Sequence, residues 1–373
     1  MNLKTLKTAI KYLPAKKAIA INAKHGVGKS QIVEQIAAEL GYKFICLPAG
    51  QIADAGDIIG LPDKRQVEVL KENGAKTTET ITAFAPPHWW PQDETKPVLL
   101  FIDEANRVVS PSIFACLFDL VLNQNVQGKF LPKNSRVIAA FNPSNAGNFY
   151  QVQEFDPAFL DRFAVYDFLP SIDEWISYGI SKGFNPNVLN FIKRNESYLD
   201  PYTLEDEIAK ITADQVLPSR RSWETASELL NRHVFKGEEI ELREILTGLV
   251  GTGAAVKFAD FYEKENIGVE LEILLTNFDA VAHKVRELNS IDQTSLAMEI
   301  SVKIANPQSQ DKFSIYAPNL EGFLTTVSKE VAAFVYGQIN YAVKNNKTWP
   351  GLLFRLRPSL ISNFSKLHSI SVE

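Results

Sequence analysis

Cysteine is scarce in this sequence: Cys46 and Cys116 are the only two among 373 residues. They are too far apart to form a metal or redox motif, so they read as reduced thiols in a cytosolic core. The five histidines, at positions 25, 88, 233, 283 and 368, show no metal-ligand spacing either. Long apolar runs are missing too. No stretch reaches the ~18 residues that a membrane span needs. The opening MNLKTLKTAIKYLPAKK scatters lysines among its apolar positions and lacks the h-region of a signal peptide. The expected location is therefore cytoplasmic, with no membrane partner. Positive charge is not in excess: 39 Lys and Arg face 44 Asp and Glu, for a net charge of -5. That balance disfavours non-specific nucleic-acid binding, which rests on phosphate neutralisation.

What is present is an ordinary globular composition, 45% hydrophobic and 22% charged. The length suits roughly two or three domains. Leu3, Leu6, Ile10 and Leu13 fall at helical spacing, and Pro14 ends that first helix. Residues 18–21 read as a buried strand. A turn at 22–30 leads into a helix carrying Ile32, Val33, Ile36, Ala37 and Leu40, which Gly41 stops as a C-cap. Residues 42–47 read as a second strand. The segment 50–95 interrupts this alternation with DIIGLP (57–62), APPHWWP (85–91) and a hairpin in which Val67 and Val69 alternate with polar residues about an Asn73-Gly74 turn. It reads as an insertion outside the core, with Trp89 and Trp90 as packing residues in preference to a ligand cage. VLLFIDE (98–104) is a buried strand, followed by a helix to about Leu122, a hairpin at 124–131 and the strand RVIAAFN (136–142). Such strand–helix alternation predicts an α/β fold with a parallel sheet. Pro170 marks a boundary. Ser171 and Glu174 form a capping box, and beyond them the chain reads as almost all helix.

The segment AKHGVGKS, residues Ala23, Lys24, His25, Gly26, Val27, Gly28, Lys29 and Ser30, matches the P-loop pattern G-x-x-x-x-G-K-[ST] except at its first position. Small residues let backbone N–H groups wrap phosphate oxygens at a helix N-terminus. Lys29 would neutralise the β- and γ-phosphates of ATP, and Ser30 would ligate Mg²⁺. FIDE (101–104) places two acids at the C-terminal end of a buried strand, where open α/β sheets bind their ligands. Asp103 would hold Mg²⁺ through water, and Glu104 would orient and polarise the attacking water. Asn142, at the tip of the next apolar strand, could hold that water opposite Glu104, or could simply be a turn former before Pro143. Arg162 is surrounded in sequence by Glu154, Asp156 and Asp161. It is either a surface ion pair or an arginine finger reaching the γ-phosphate of a neighbouring subunit. Arg220 and Arg221 open a helix capped by Ser219, against the dipole preference of a first turn. They call for an anion, either a phosphate or an acidic neighbouring helix; Arg221 is favoured for the phosphate.

With these residues in place, the chain resembles MoxR-type AAA+ ATPases, a group that includes the CbbQ, NorQ and GvpN proteins. The resemblance covers residues 1 to about 262 and rests on AKHGVGKS, DIIGLP, PPHWWP, FIDEANR, AAFNPSN, DPAFLDRF, PSRRSWE and GTGAAVKF, in that order. It implies a P-loop αβα nucleotide-binding core over 1–170, a helical lid over 171–262 and a mostly helical C-terminal extension over 263–373. It also implies Walker A at Lys29 and Ser30, Walker B at Asp103 and Glu104, sensor 1 at Asn142, a trans-acting arginine at Arg162 and sensor 2 at Arg221. The expected assembly is a homo-oligomeric, hexameric ring that binds ATP at the lid–core cleft and remodels a protein client, often with a partner carrying a von Willebrand factor A domain. The rival expectations are a nucleic-acid motor of the MCM or McrB kind and a non-enzymatic nucleotide switch. Ala23, standing where the motif has glycine, is a departure from the pattern.

Overall fold

A computed structural model of the chain describes residues 1–346 apart from 25, 71–75, 94, 109, 143–156, 201–215, 236 and 265–267. The chain divides into two compact units, Met1–Pro170 and Ser171–Glu373.

The first unit is built on a five-stranded parallel sheet. Its strands are β1 (Ala18–Asn22), β2 (Lys43–Pro48), β5 (Val98–Asp103), β8 (Arg136–Phe141) and β9 (Phe163–Asp167), in the order β2-β5-β8-β1-β9. Every pairing in it is parallel. The three central strands are buried along nearly their whole length. That is why they read as continuous apolar runs and not as alternating ones. Successive residues serve opposite faces. Ala18, Ala20, Leu100, Ile102, Val137 and Ala139 face one core. Ile19, Ile21, Leu99, Phe101, Ile138 and Ala140 face the other, which α1 (Leu3–Tyr12) and α2 (Lys29–Leu40) cover.

Arg136 opens the central strand β8 with a charge, and it is buried. Its guanidinium donates to the carbonyls of Leu13 and Lys11 at the end of α1, and to the Tyr42 hydroxyl. A buried cation is tolerated there because it ties down helix-terminal carbonyls that would otherwise lack donors. Arg136→Ala is therefore expected to lower unfolding stability by about 2–3 kcal/mol, since hydrogen bonds to charged groups carry ~1.5–3 kcal/mol. Urea titration measures this, and an unchanged midpoint would remove the anchoring role.

The segment between β2 and β5 departs from the expectation of an insertion outside the core. After α3 (Gly56–Ile59), strands β3 (Leu61–Leu70) and β4 (Lys76–Ala85) pair antiparallel over ten residues each and form the expected hairpin. Its Asn73-Gly74 turn lies outside the described residues. The base of the hairpin, however, is core. Ile58, Trp89 and Trp90 all belong to the buried cluster on one sheet face, and the Trp89 indole N–H donates to Asp57 O at 2.9 Å. An indole carries a large apolar area, which favours its burial against the sheet face even where the αβ pattern is broken. Gly60 joins this base to β3 with φ +81°, and a Cβ there would lie 1.8 Å from the Ala85 carbonyl oxygen. Only glycine fits. The smaller hairpin forms as expected, from β6 (Asn125–Val126) and β7 (Lys129–Phe130) after α4 (Pro111–Asn123).

The second unit is helical in its described part. The helix Ile172–Lys182 opens on the expected capping box of Ser171 and Glu174. The helix Arg220–Arg232 opens on Ser219, boxed reciprocally with Ser222. Trp223 is fully buried, and its indole donates to Tyr198 O at 2.8 Å. Trp175, Phe191, Trp223 and Phe258 centre one core; Leu296, Tyr316, Leu320 and Phe323 centre a second. Met298 and Ala305, from the helix Ser290–Ala305, belong to the first of these cores.

Candidate functional site

A parallel sheet brings the C-terminal ends of its strands to one edge, and the central strands deliver their polar tips there. β1 ends in the loop to α2. Gly26 and Gly28 of that loop have φ of +77° and +86°, a left-handed conformation that favours glycine. Gly28 is the N-cap of α2, and with no side chain there the first turn of the helix is uncapped. Its backbone N–H groups and positive dipole end suit an anion. Ala23, where the motif has glycine, is buried, and its N–H continues the β1–β8 ladder by donating to Phe141 O at 3.1 Å. A side chain is admissible because this residue is still strand-like and is not part of the loop's turn. The Lys24 carbonyl accepts a hydrogen bond from Lys29; His25 lies outside the described residues. Val27 is buried and packs into the core under α2.

Lys29 is 9% exposed. Its ammonium donates to Ala23 O at 2.6 Å, Lys24 O at 3.2 Å and Asn142 Oδ1 at 2.9 Å. The lysine is thus aimed back across the loop by oxygens from two strand tips. Ser30 donates to Asp103 Oδ2 at 2.7 Å, and the Glu104 backbone N–H donates to Asp103 Oδ1 at 3.0 Å. Residues of the loop and of the C-terminal ends of β5 and β8 are therefore bonded in two pairs: Lys29 with Asn142, and Ser30 with Asp103.

Glu104 leaves β5 in a left-handed conformation, φ +52°, uncommon for a residue with a side chain. Its Oε2 accepts from Arg107 Nη1 at 3.1 Å. Gly50 lies close by: a Cβ on it would sit 3.0 Å from Glu104 Oε2. The negative potential at this edge is felt by Cys46 on β2. Partial burial, then the carboxylates of Asp103 and Glu34, push its thiol up to about 11. It stays protonated at neutral pH and is a poor nucleophile.

Asn142 is 3% exposed. Both of its backbone polar groups are met by one side chain that the motif analysis gave no role, Asn106. The Asn106 amide donates to Asn142 O at 2.6 Å, and its carbonyl oxygen accepts from Asn142 N at 3.1 Å. The only signal in the sequence is an amide three residues past the strand acid, in FIDEANR. Residues 143–156, which include Pro143, Glu154 and Asp156, lie outside the described residues.

Arg162 follows α5 (Pro157–Leu160). Its guanidinium lies 3.6 Å from the Asp161 carboxylate and over the Phe118 ring, 5.9 Å from the centroid. The ion-pair alternative is thus present, although the pair is largely exposed and contributes only ~0–1 kcal/mol. The Arg162 Nε is buried and has no hydrogen-bond partner among the described residues. In the second unit the two arginines of PSRRSWE differ. Arg220 is buried and paired with Asp200 through Nε at 3.0 Å and Nη2 at 2.7 Å. Its anion is that carboxylate. Arg221 is exposed on the first turn of the same helix.

The hard oxygens of Ser30 and Asp103 are the donor chemistry Mg²⁺ prefers. Among the described residues no group of three or more His, Cys, Asp or Glu could hold a metal. No described helix is long and apolar enough to cross a membrane.

Residues 19–170 match the family model for the AAA domain, the ATPase family associated with various cellular activities. No curated protein matches the chain. Among solved structures it is similar to the Thermotoga maritima RuvB Holliday junction branch migration motor, at 12% identity over 85% of each chain with a TM-score of 0.32. It is also similar to a candidate ATPase of Cytophaga hutchinsonii, at 13% identity over 91% of this chain and 80% of that one, with a TM-score of 0.30. A third is the S. cerevisiae Hsp104–ADP complex, at 16% identity over 100% of this chain and 47% of that one, with a TM-score of 0.31. Such scores are too low to establish a common arrangement over the whole chain. The sheet order, the glycine loop and the domain match together define a P-loop AAA+ fold, with the match to the AAA model confined to residues 19–170.

Proposed function

We propose that the protein is a MoxR-like, ATP-hydrolysing ring that remodels or activates a protein client. The observation that carries the reading is the two bonded pairs at the strand tips, Lys29 with Asn142 and Ser30 with Asp103. In this reading residues 23–30 cradle the phosphates, and Lys29 offsets their charge. Ser30 and Asp103 hold Mg²⁺, which supplies Lewis-acid polarisation of the phosphoryl oxygens when bound. Glu104 orients and polarises the attacking water, Asn142 steadies it, Arg221 contacts phosphate from the helical lid of 171–262, and Arg162 reaches the site of a neighbouring subunit. Residues 263–373 form a helical extension. The hairpin of β3 and β4, and the smaller one of β6 and β7, are the client-facing surface, because they add exposed apolar residues such as Leu70 and Phe130 without adding catalytic ones.

Mixing two inactive variants tests the shared site. Arg162→Ala should bind ATP yet hydrolyse it slowly, and Lys29→Ala should not bind it. In mixed rings some interfaces pair an intact P-loop with an intact arginine, so part of the ATPase activity should return. An arginine acting within its own subunit cannot be rescued this way. Steady-state ATPase rates across mixing ratios, with subunit exchange confirmed separately, give the answer; rates that only average the two parents would remove the ring-dependent site.

A further inference from the structure

The pairing of β5 with β8 ends at Ile102 and Ala139, one residue before β5 itself ends at Asp103. Beyond that point β8 runs on to Phe141, and the chain continues to Asn142, without a β5 neighbour. A buried backbone N–H and C=O need partners. The Asn106 side chain supplies both, because a primary amide carries a donor and an acceptor in the geometry of a peptide group. Its two bonds, 2.6 Å to Asn142 O and 3.1 Å from Asn142 N, replace the missing rung of the sheet. Both residues are buried, at 4% and 3% exposure, so water does not compete. The same Asn142 presents its side-chain oxygen to Lys29 Nζ at 2.9 Å.

We infer that Asn106 is a positioning residue for turnover: it locks the Asn142 backbone so that the Asn142 side chain is held in register with Lys29, and so couples the turn after Asp103 to the phosphate-binding loop. This rests on the reading of Asn142 as part of the ATPase site. The neighbouring Ala105 and Asn106 lie in a short 3₁₀ turn, Ala105–Arg107, that starts at the left-handed Glu104. One turn thus sets the places of both Glu104 and Asn142.

The test is steady-state ATPase kinetics of the full chain for Asn106→Ala, Asn106→Asp, Asn142→Ala and the double Asn106→Ala/Asn142→Ala variant. ATP affinity by calorimetry and a thermal melt accompany each. Loss of the lock should lower kcat by about 10–100-fold, the scale set by misplacements near 1 Å, with ATP affinity within about threefold. The double variant should be no slower than Asn142→Ala alone, because Asn106 acts only through Asn142. Asn106→Asp is isosteric and keeps the acceptor for Asn142 N–H but loses the donor. It should fold where the alanine variant does not, and still lower kcat. A wild-type kcat in folded Asn106→Ala or Asn106→Asp, with Asn142→Ala slow, would overturn the positioning role alone. Multiplying defects in the double variant would do the same. A wild-type kcat in Asn142→Ala would overturn both this role and the reading beneath it.

Discussion

Lys29→Ala is expected to lower ATP affinity by 100-fold or more, with the fold retained. The loss follows from geometry. The ammonium is nearly buried and is held by Ala23 O, Lys24 O and Asn142 Oδ1 at the mouth of an uncapped helix. It is therefore pre-placed for an anion and gives up little side-chain freedom on binding one. A hydrogen bond to a charged group is worth ~1.5–3 kcal/mol, and a triphosphate offers more than one, so 100-fold (about 2.7 kcal/mol) is a lower bound. The substitution also strips a donor from two buried oxygens, at about 1–3 kcal/mol each if water does not replace it. A thermal melt of the variant is thus needed beside the calorimetric titration with Mg-ATP. Unchanged affinity in a folded variant would sink the assignment of the phosphate-binding loop.

Glu104→Gln is expected to leave ATP binding intact and to cut turnover by about 10²–10⁴-fold, the range of a lost general base. The amide keeps the shape and removes the charge proposed to polarise water. Its other loss is the ion pair with Arg107, whose partners are 44% and 38% exposed on their side chains. Such a pair contributes ~0–1 kcal/mol, so stability should barely move. Slow turnover with normal binding and a normal melt would separate chemistry from folding. Under saturating ATP the variant should also accumulate as the assembled ring, measurable by light scattering. Wild-type turnover would mean that Glu104 is not the water-orienting residue.

Much of the fold was legible because it is carried by local signals. The apolar runs at β1, β5 and β8, the stop at Gly41, the box at Ser171 and the cap at Ser219 each depend on neighbours within a few positions. The loop at 23–30 and the acids of FIDE were readable for the same reason. What escaped depends on distant partners. Asn106 acts on a backbone 36 positions away, and an amide making two side-chain-to-backbone bonds leaves no periodic trace. Arg136 reads as a stray charge in an apolar strand until the end of α1 is laid beside it. Arg220 and Arg221 are adjacent and identical in type. Only the placement of Asp200 separates the buried, paired one from the exposed one. Trp89 and Trp90 pack as expected, but against the sheet face and not within an insertion outside the core. The reading of the segment as peripheral was right for β3 and β4 and wrong for their base.

That base has a mechanical consequence. Ten extended residues per strand give the β3–β4 ribbon a reach of about 33 Å from its root. The root is short and stiff: α3 and the two indoles are set in the core, and the backbones of Gly60 and Ala85 touch with no room even for a methyl group. Such an arrangement is a lever with its fulcrum against the sheet. A tilt of about 10° at Gly60 would sweep the far end through about 6 Å, given that reach. A ribbon so rooted would convert small angular shifts at its base into displacements as large as a side chain.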